Sequence, residues 1–218
     1  MRLTTYPQRK SNPPRRQWGE CASRYRKAIV SEAHRAGKPV FAHPSNREGI
    51  EVALQSGVDV LAHTAPMSGT WDQALTDRMK SAHLALIPTL TLFDVEAKKA
   101  HVSAEENEMW IKLAADELKA YAGAGGQILF GTDVGYIDHF DTGEEFTLMS
   151  RAGMSFQQIL ASLTTNPSER FGYSARSGRI AQGMDADLVV LNGDPARDVT
   201  ALSPLHDPRD GQVIYPKR

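Results

Sequence analysis

The stretch PVFAHPSNREGIEVALQSGVDVLAH, residues 39–63, decides the fold because it places a helical pattern between two short apolar runs. The runs are PVFAH at 39–43 and VDVLAH at 58–63, and each ends in a histidine. The helical pattern between them stops at Gly57, a residue type that suits the left-handed end of a helix. Such alternation, with strands that are apolar throughout, predicts neighbouring parallel strands in an α/β fold.

Two further apolar runs extend this pattern along the chain. Residues 84–87 predict a third strand, and residues 128–130, which lead into Gly131-Thr132-Asp133, predict a fourth. The spacing of apolar residues and the capping signals predict helices over roughly 21–36, 46–57, 71–82, 103–123, 142–152 and 155–164, with one more beginning at Asn166 as N-cap.

His43, His63 and Asp133 each stand at the end of a predicted strand. In a β/α barrel the carboxyl ends of the strands meet on one face, so we expect these side chains near one another. Imidazoles and a carboxylate around an open coordination position form a hydrolytic metal site, in which Asp133 would also take a proton from water. For each residue alone, a structural role is the alternative: a hydrogen-bonded histidine, or an aspartate that caps a turn.

Composition narrows the class of protein. The chain has 218 residues, 41% of them hydrophobic, which suffices for one sizeable core. A formal net charge of −1 gives no reason to expect a nucleic acid or a membrane surface as partner. No apolar run is long enough to span a bilayer or to form a secretory signal. The single cysteine, Cys21, excludes an internal disulfide and favours a cytoplasmic protein.

The two ends of the chain differ from its centre. Residues 1–19 are basic and contain three prolines without helical or strand periodicity, so we expect an irregular leader. A nucleic-acid-binding arm and the altered start of a longer protein are the alternatives. Residues 20–175 carry the β/α pattern. Residues 176–218 contain short strand-like segments at 178–180, 186–191 and 212–215, separated by Gly, Asp and Pro, which predict a small β segment.

Several segments, in order, resemble the amidohydrolase superfamily in its imidazolonepropionase-like and Xaa-Pro-dipeptidase-like (prolidase-like) branch. They are AIVSEAHRAGKPVFAHPSNREGIEVALQSGVDVLAHTAP, IPTLTLF, ILFGTDVG, ASLTTNPSERFG and SGRIAQGMDADLVVLNGDPARD, within residues 28–218. The resemblance implies a (β/α)8 TIM-type barrel with a small β-sandwich. It also implies metal-dependent hydrolysis, usually with Zn²⁺, of C–N bonds in a small amide, cyclic amide or dipeptide. His43, His63 and Asp133 would correspond to the metal ligands on strands 5, 6 and 8, with Asp133 as the catalytic base.

The family pattern also contains parts that this chain lacks. Members of the family carry a His-x-His pair on strand 1 and a bridging lysine on strand 4, whereas this chain has no histidine before His34. Residues 20–175 therefore correspond to strands 5–8 of the barrel, and residues 176–218 to part of the sandwich. We expect a truncated chain, because the composition of residues 1–19, joined to a family resemblance that begins at Ala28, suggests a deletion or a change of reading frame upstream; whether residues 1–27 are native stays open.

Three functions are compatible with this sequence. The first is a metal-dependent amidohydrolase that acts on a small-molecule substrate. The second is a non-catalytic half-barrel that needs self-association as a homo-oligomer, or a separate N-terminal half, to cover its open sheet edges and apolar inner face. The third is metal or small-molecule binding without turnover.

Overall fold

A short parallel sheet organises the described part of the chain. The computed structural model describes residues 15–185, 189, 191 and 193–202, with the backbone alone described over 15–24. Within these residues four strands lie side by side in chain order, all parallel: β1 Phe41–Ala42, β2 Val60–Ala62, β3 Ala85–Ile87 and β4 Gln127–Ile128. The predicted α/β class and the four parallel strands are confirmed.

Helices connect the strands and continue after the last one. They are α1 Arg15–Arg35, α2 Arg47–Ser56, α3 Gln73–Ser81, α4 Leu90–Ala100, α5 Ala104–Gly123, α6 Gly143–Arg151, α7 Phe156–Leu163 and α8 Thr165–Arg170, with 3-10 turns at Pro66–Ser68 and Val199–Leu202. None of the helices among the described residues is both long enough and apolar enough to cross a bilayer.

Local signals account for most of these boundaries. The Asn46 side chain accepts a hydrogen bond of 2.9 Å from the Gly49 amide and so caps α2, which ends at Gly57 with φ 77°. Helix α1 begins at Arg15, so it extends into the last residues of the segment predicted to be irregular. That segment's final residues, Arg-Arg-Gln before Trp18, are good helix formers and extend the helix backwards.

Two predictions about helices were wrong. Asn166 was expected to cap the last helix, but it lies within α8, and its side-chain amide donates to the Ile128 carbonyl over 2.8 Å. Tertiary hydrogen bonding to β4 has replaced local capping there. Helix α4 was not among the predicted helices; it begins two residues after Pro88, which ends the pairing of β3.

The sheet is buried on both faces. Leu61, Leu86 and Ile128 belong to the large core formed with the helices, whereas Val60 and Ala85, which are register partners, form a smaller cluster with Leu129. Alternate residues of a strand point to opposite faces, so this division follows from the strand geometry. Burial on both faces explains why the strands are apolar throughout.

The predicted C-terminal β segment lies largely outside the described residues. Residues 178–180, predicted as a strand, form a bend in which Gly178 has φ 91°. A Cβ at Gly178 would lie 2.6 Å from Ser168 Cβ, so the chain turns tightly against α8 instead of extending. Of the other two predicted strands, 186–191 is described only at 189 and 191, and 212–215 falls outside the described residues.

Candidate active site at the carboxyl ends of the strands

His43 and His63 lie in contact one residue beyond the carboxyl ends of β1 and β2. Their ring centroids are 4.7 Å apart, and the planes are inclined by 77°. Because Phe41 pairs with Val60 and Ala42 with Leu61, the two strands end level with each other and bring the histidines together. The predicted proximity of these two side chains is thereby confirmed. His43 is exposed, whereas His63 is buried.

The imidazole of His63 is held in a fixed place. Its Nδ1 lies 2.6 Å from the Thr89 hydroxyl, and its backbone amide donates to the Ile87 carbonyl over 2.8 Å. Burial lowers the pKa of His63 below its ordinary value, and the neighbouring His43 lowers it further, while Asp133 acts in the opposite direction. The neutral imidazole, which is the form that binds a metal ion, is therefore favoured.

Asp133 follows β4 and is half-buried. Its carbonyl accepts hydrogen bonds from the amides of Tyr136 and Ile137, at 3.1 and 3.0 Å, so it also opens a tight turn. The carboxylate is near enough to His63 to act on its charge. Asp133 thus faces the same region as the histidines, although among the described residues no set of three His, Cys, Asp or Glu side chains is arranged to hold a metal ion.

The backbone is strained at three of these strand ends. His63, Thr89 and Asp133 have φ of 85°, 47° and 64°, in the left-handed region that non-glycine residues rarely adopt. Each such residue costs on the order of 1–3 kcal/mol, and strain of this kind concentrates at active sites. Its presence at three adjacent strand ends distinguishes this edge of the sheet.

The donor chemistry of the pair fits a divalent ion. Two imidazoles in contact, one of them buried and neutral, supply two ligands of the kind that zinc accepts. Asp133 supplies a carboxylate on the same side. The prediction that all three act as one ligand set stays a prediction.

Two buried glutamates bind backbone beside this site, and neither was predicted from the sequence. Glu145 on α6 accepts hydrogen bonds from the amides of Leu90 and Thr91, at 2.9 and 2.8 Å, and from the Thr91 hydroxyl at 2.8 Å. Burial raises the pKa of Glu145 to about 7, against the opposing effect of these hydrogen bonds. The Glu145 carboxylate therefore caps the amino-terminal end of α4, which begins directly after Thr89.

Glu117 on α5 performs the corresponding task after β2. Its carboxylate accepts a hydrogen bond of 2.6 Å from the Ala65 amide, two residues beyond His63. Burial raises the pKa of Glu117 to about 8. Its other oxygen, the Trp71 indole nitrogen and the Thr64 hydroxyl are buried without a well-aligned hydrogen-bond partner among the described residues.

The sequence held one usable signal for Glu145. It stands at helical spacing from Leu148 and Met149 and next to Phe146, all buried, so it lies on the apolar face of α6. A glutamate on such a face needs a hydrogen-bonding partner inside the protein. The sequence gave no signal for Thr89 beyond its position in the IPTLTLF segment, and that position did not indicate a contact with His63.

A parallel β/α sheet with histidine and aspartate at its carboxyl edge is the arrangement found in β/α-barrel enzymes, whose active sites lie at the strand ends. The family model of the amidohydrolase family matches residues 19–213. The chain belongs to the amidohydrolase family.

Relatives of known name and structure share this architecture. Ochratoxinase of Aspergillus niger is 28% identical over 180 residues, which are 79% of this chain and 36% of the relative. The crystal structure of an Xaa-Pro dipeptidase with bound methionine in its active site is similar with a TM-score of 0.72 and 25% identity, covering 83% of this chain and 45% of that one. A prolidase complexed with N-methylphosphonate-L-proline gives a TM-score of 0.70 and 29% identity, covering 84% and 45%. The chain thus spans less than half the length of these relatives.

Proposed function

We propose that this chain carries part of the active site of a metal-dependent amidohydrolase that hydrolyses C–N bonds of a small amide, cyclic amide or dipeptide. The contact between His43 and His63, with ring centroids 4.7 Å apart at adjacent strand ends, carries the proposal. Family membership and the prolidase-like neighbours support it. The described sheet would then correspond to strands 5–8 of a (β/α)8 barrel, with residues 176–218 in a β-sandwich segment.

Each residue has a distinct part in this proposal. His43 and His63 would hold a divalent ion, with zinc as the first candidate. A divalent ion in such a site lowers the pKa of a coordinated water and polarises the carbonyl that is attacked. Asp133 would bind at the same place, take the proton of the attacking water on a carboxylate oxygen and deliver it to the leaving nitrogen.

The relatives' names indicate the first substrates to test. We would supply the purified chain with zinc and assay a panel of Xaa-Pro dipeptides, with simple amides beside them, for release of the amine. Activity that is lost on His63→Ala and on Asp133→Asn, but kept on His101→Ala at an exposed helix end, is expected. Equal rates for His63→Ala and the wild-type chain would contradict the assignment.

A second candidate is a non-catalytic half-barrel that associates with itself or with a separate N-terminal half. Strand β1 is an edge of the described sheet, and its Phe41 is 48% exposed. An open parallel edge with an exposed aromatic residue favours pairing with another chain. Light scattering of the purified chain tests this candidate: a dimer that releases no amine from any substrate supports it, and a monomer that turns over substrate excludes it.

A further inference from the structure

Thr89 contacts His63 through a hydroxyl whose hydrogen is already used. The hydroxyl donates to the Pro88 carbonyl over 2.8 Å, and its oxygen lies 2.6 Å from His63 Nδ1. A threonine hydroxyl has one hydrogen to donate and can accept in addition. The Pro88 carbonyl can only accept and also receives the Thr64 amide at 3.3 Å, so with the hydroxyl hydrogen directed at Pro88 the hydrogen in the second contact comes from Nδ1. This places the proton of the neutral imidazole on Nδ1 and leaves the lone pair on Nε2.

The hydroxyl of Thr89 is available for this contact because another residue caps its helix. Thr89 is the N-cap residue of α4, a position where a threonine side chain ordinarily accepts a hydrogen bond from the first turn. Here it makes no such bond. Glu145 binds the Leu90 and Thr91 amides in its place, so the cap comes from α6.

The positive φ of Thr89 is consistent with this division of tasks. An N-cap residue normally has an extended backbone, whereas the backbone of Thr89 is left-handed, with φ 47°. This conformation accompanies a hydroxyl that bonds to Pro88 and His63 rather than to the first turn of α4. Thr89 is 2% exposed, so water does not compete for these contacts.

We propose that Thr89 and Glu145 are positioning residues for His63: Glu145 caps α4, and Thr89 thereby holds His63 with hydrogen on Nδ1 and the lone pair on Nε2. The tautomer is a property of the metal-free chain, whereas its use as a ligand rests on the proposed function. Neither residue touches the substrate in this proposal. Both act through the orientation of one imidazole.

Nitrogen-15 NMR of the histidine rings of the metal-free chain tests the proposal directly. The wild-type chain is expected to show His63, assigned by its loss in His63→Ala, with hydrogen on Nδ1. In Thr89→Val, which keeps the shape but removes the hydroxyl, the two tautomers should mix. Thr89→Ser should restore the wild-type signal. Thr64→Val is the matched control, because Thr64 is also buried beside His63 but makes no hydrogen bond to it.

Zinc affinity, measured by calorimetry, is the second readout. Loss of a partner that orients a metal-binding histidine typically weakens binding about 10–100-fold. We expect a decrease in that range for Thr89→Val, a smaller decrease for Glu145→Gln, and no change for Thr64→Val. The Gln variant keeps one acceptor for the helix amides, so it should retain part of the positioning.

The outcomes separate this proposal from the proposed function. Hydrogen on Nε2 in the wild-type chain overturns the positioning proposal, whatever the variants do and even if Thr89→Val does not fold. An unchanged tautomer in a folded Thr89→Val chain also overturns it. A tautomer that shifts in Thr89→Val in a chain that neither binds zinc nor hydrolyses any substrate supports positioning and contradicts the proposed function instead.

Discussion

The ends of the two inner strands and the ends of the two outer strands are built differently. After β2 and β3, a buried glutamate binds the backbone that follows the strand: Glu117 binds the Ala65 amide in a loop, and Glu145 binds the Leu90 and Thr91 amides at the start of α4. After β1 and β4, the chain presents His43, which is exposed, and Asp133, which is half-buried. The inner half of the site is therefore preorganised, and the outer half is left open to solvent.

The burial of the two glutamates costs free energy. A buried carboxylate without a cation loses hydration that a few hydrogen bonds only partly replace, and the raised pKa values of Glu117 and Glu145 reflect that loss. A fold needs no such groups to pack its core. Glu117 binds backbone two residues beyond His63, and Glu145 binds backbone directly after Thr89, which agrees with the proposed positioning of this imidazole.

Removal of Glu145 should have the largest effect on stability, because Glu145 supports the inner half of the site. Glu145→Ala leaves two buried amides and a hydroxyl without partners, and we expect the free energy of unfolding to fall by about 3 kcal/mol or more. Glu144→Ala is the matched control, since Glu144 precedes it on α6 and is only half-buried. Urea unfolding of both variants measures the difference. Equal losses of stability in the two variants would show that the hydrogen bonds of Glu145 do not stabilise the start of α4.

Glu117 should make stability depend on pH. Its pKa is about 8 when folded, against 4.5 for a free glutamate, so between these values the folded chain holds a proton that the unfolded chain has released. The free energy of unfolding therefore falls as pH rises through this window, by an amount on the order of 3 kcal/mol.

Glu117→Gln should abolish that part of the decline. We would measure urea unfolding from pH 5 to pH 8 in both chains and compare the slopes, because Glu145 contributes a decline of its own in each. The wild-type chain should lose more stability than the variant across the range. Parallel curves would mean that Glu117 is ionised in the folded chain at pH 5.

Gly131 lies beyond the end of β4, one of the outer strands, and contacts Ile87 of β3. A Cβ at this position would lie 2.6 Å from Ile87 Cγ2, so glycine permits the end of β4 to approach β3. Gly131→Ala should cost about 1–3 kcal/mol and shift the following Asp133. Adding Ile87→Ala removes the clashing methyl, so the double variant should be more stable than the sum of the two single losses predicts. Additive losses would contradict the steric explanation.

Asp59 should give the smallest effect, because it fastens β1 at the end remote from the site. Its carboxylate accepts hydrogen bonds from the Val40 amide at 2.7 Å and lies 2.8 Å from His34 Nε2. Asp59→Ala should lower the free energy of unfolding by about 1 kcal/mol. The nitrogen-15 signals of His63 should not change. A change in those signals would show that the position of β1 affects the His63 imidazole, which contradicts a preorganised inner half of the site.

Periodicity and strand ends predicted the sheet, its parallel order and the contact of His43 with His63, because those features depend on short-range patterns and on parallel geometry. The cap at Asn46 depends on a short-range pattern in the same way, because it binds an amide three residues further along the chain. Thr89, Glu117 and Glu145 escaped prediction because their partners lie far away in sequence, up to 55 residues for Glu145 and Leu90. A buried carboxylate follows from tertiary packing, and no local pattern specifies which amide it meets.

Zinc binding by the purified chain tests whether His43 and His63 form a metal site. Calorimetric titration with elemental analysis should show one zinc ion per chain, lost in both His43→Ala and His63→Ala and retained in His101→Ala, whose histidine is exposed at the end of α4. Zinc uptake that is unchanged in the His43→Ala, His63→Ala double variant, or no uptake by the wild-type chain, would contradict the account.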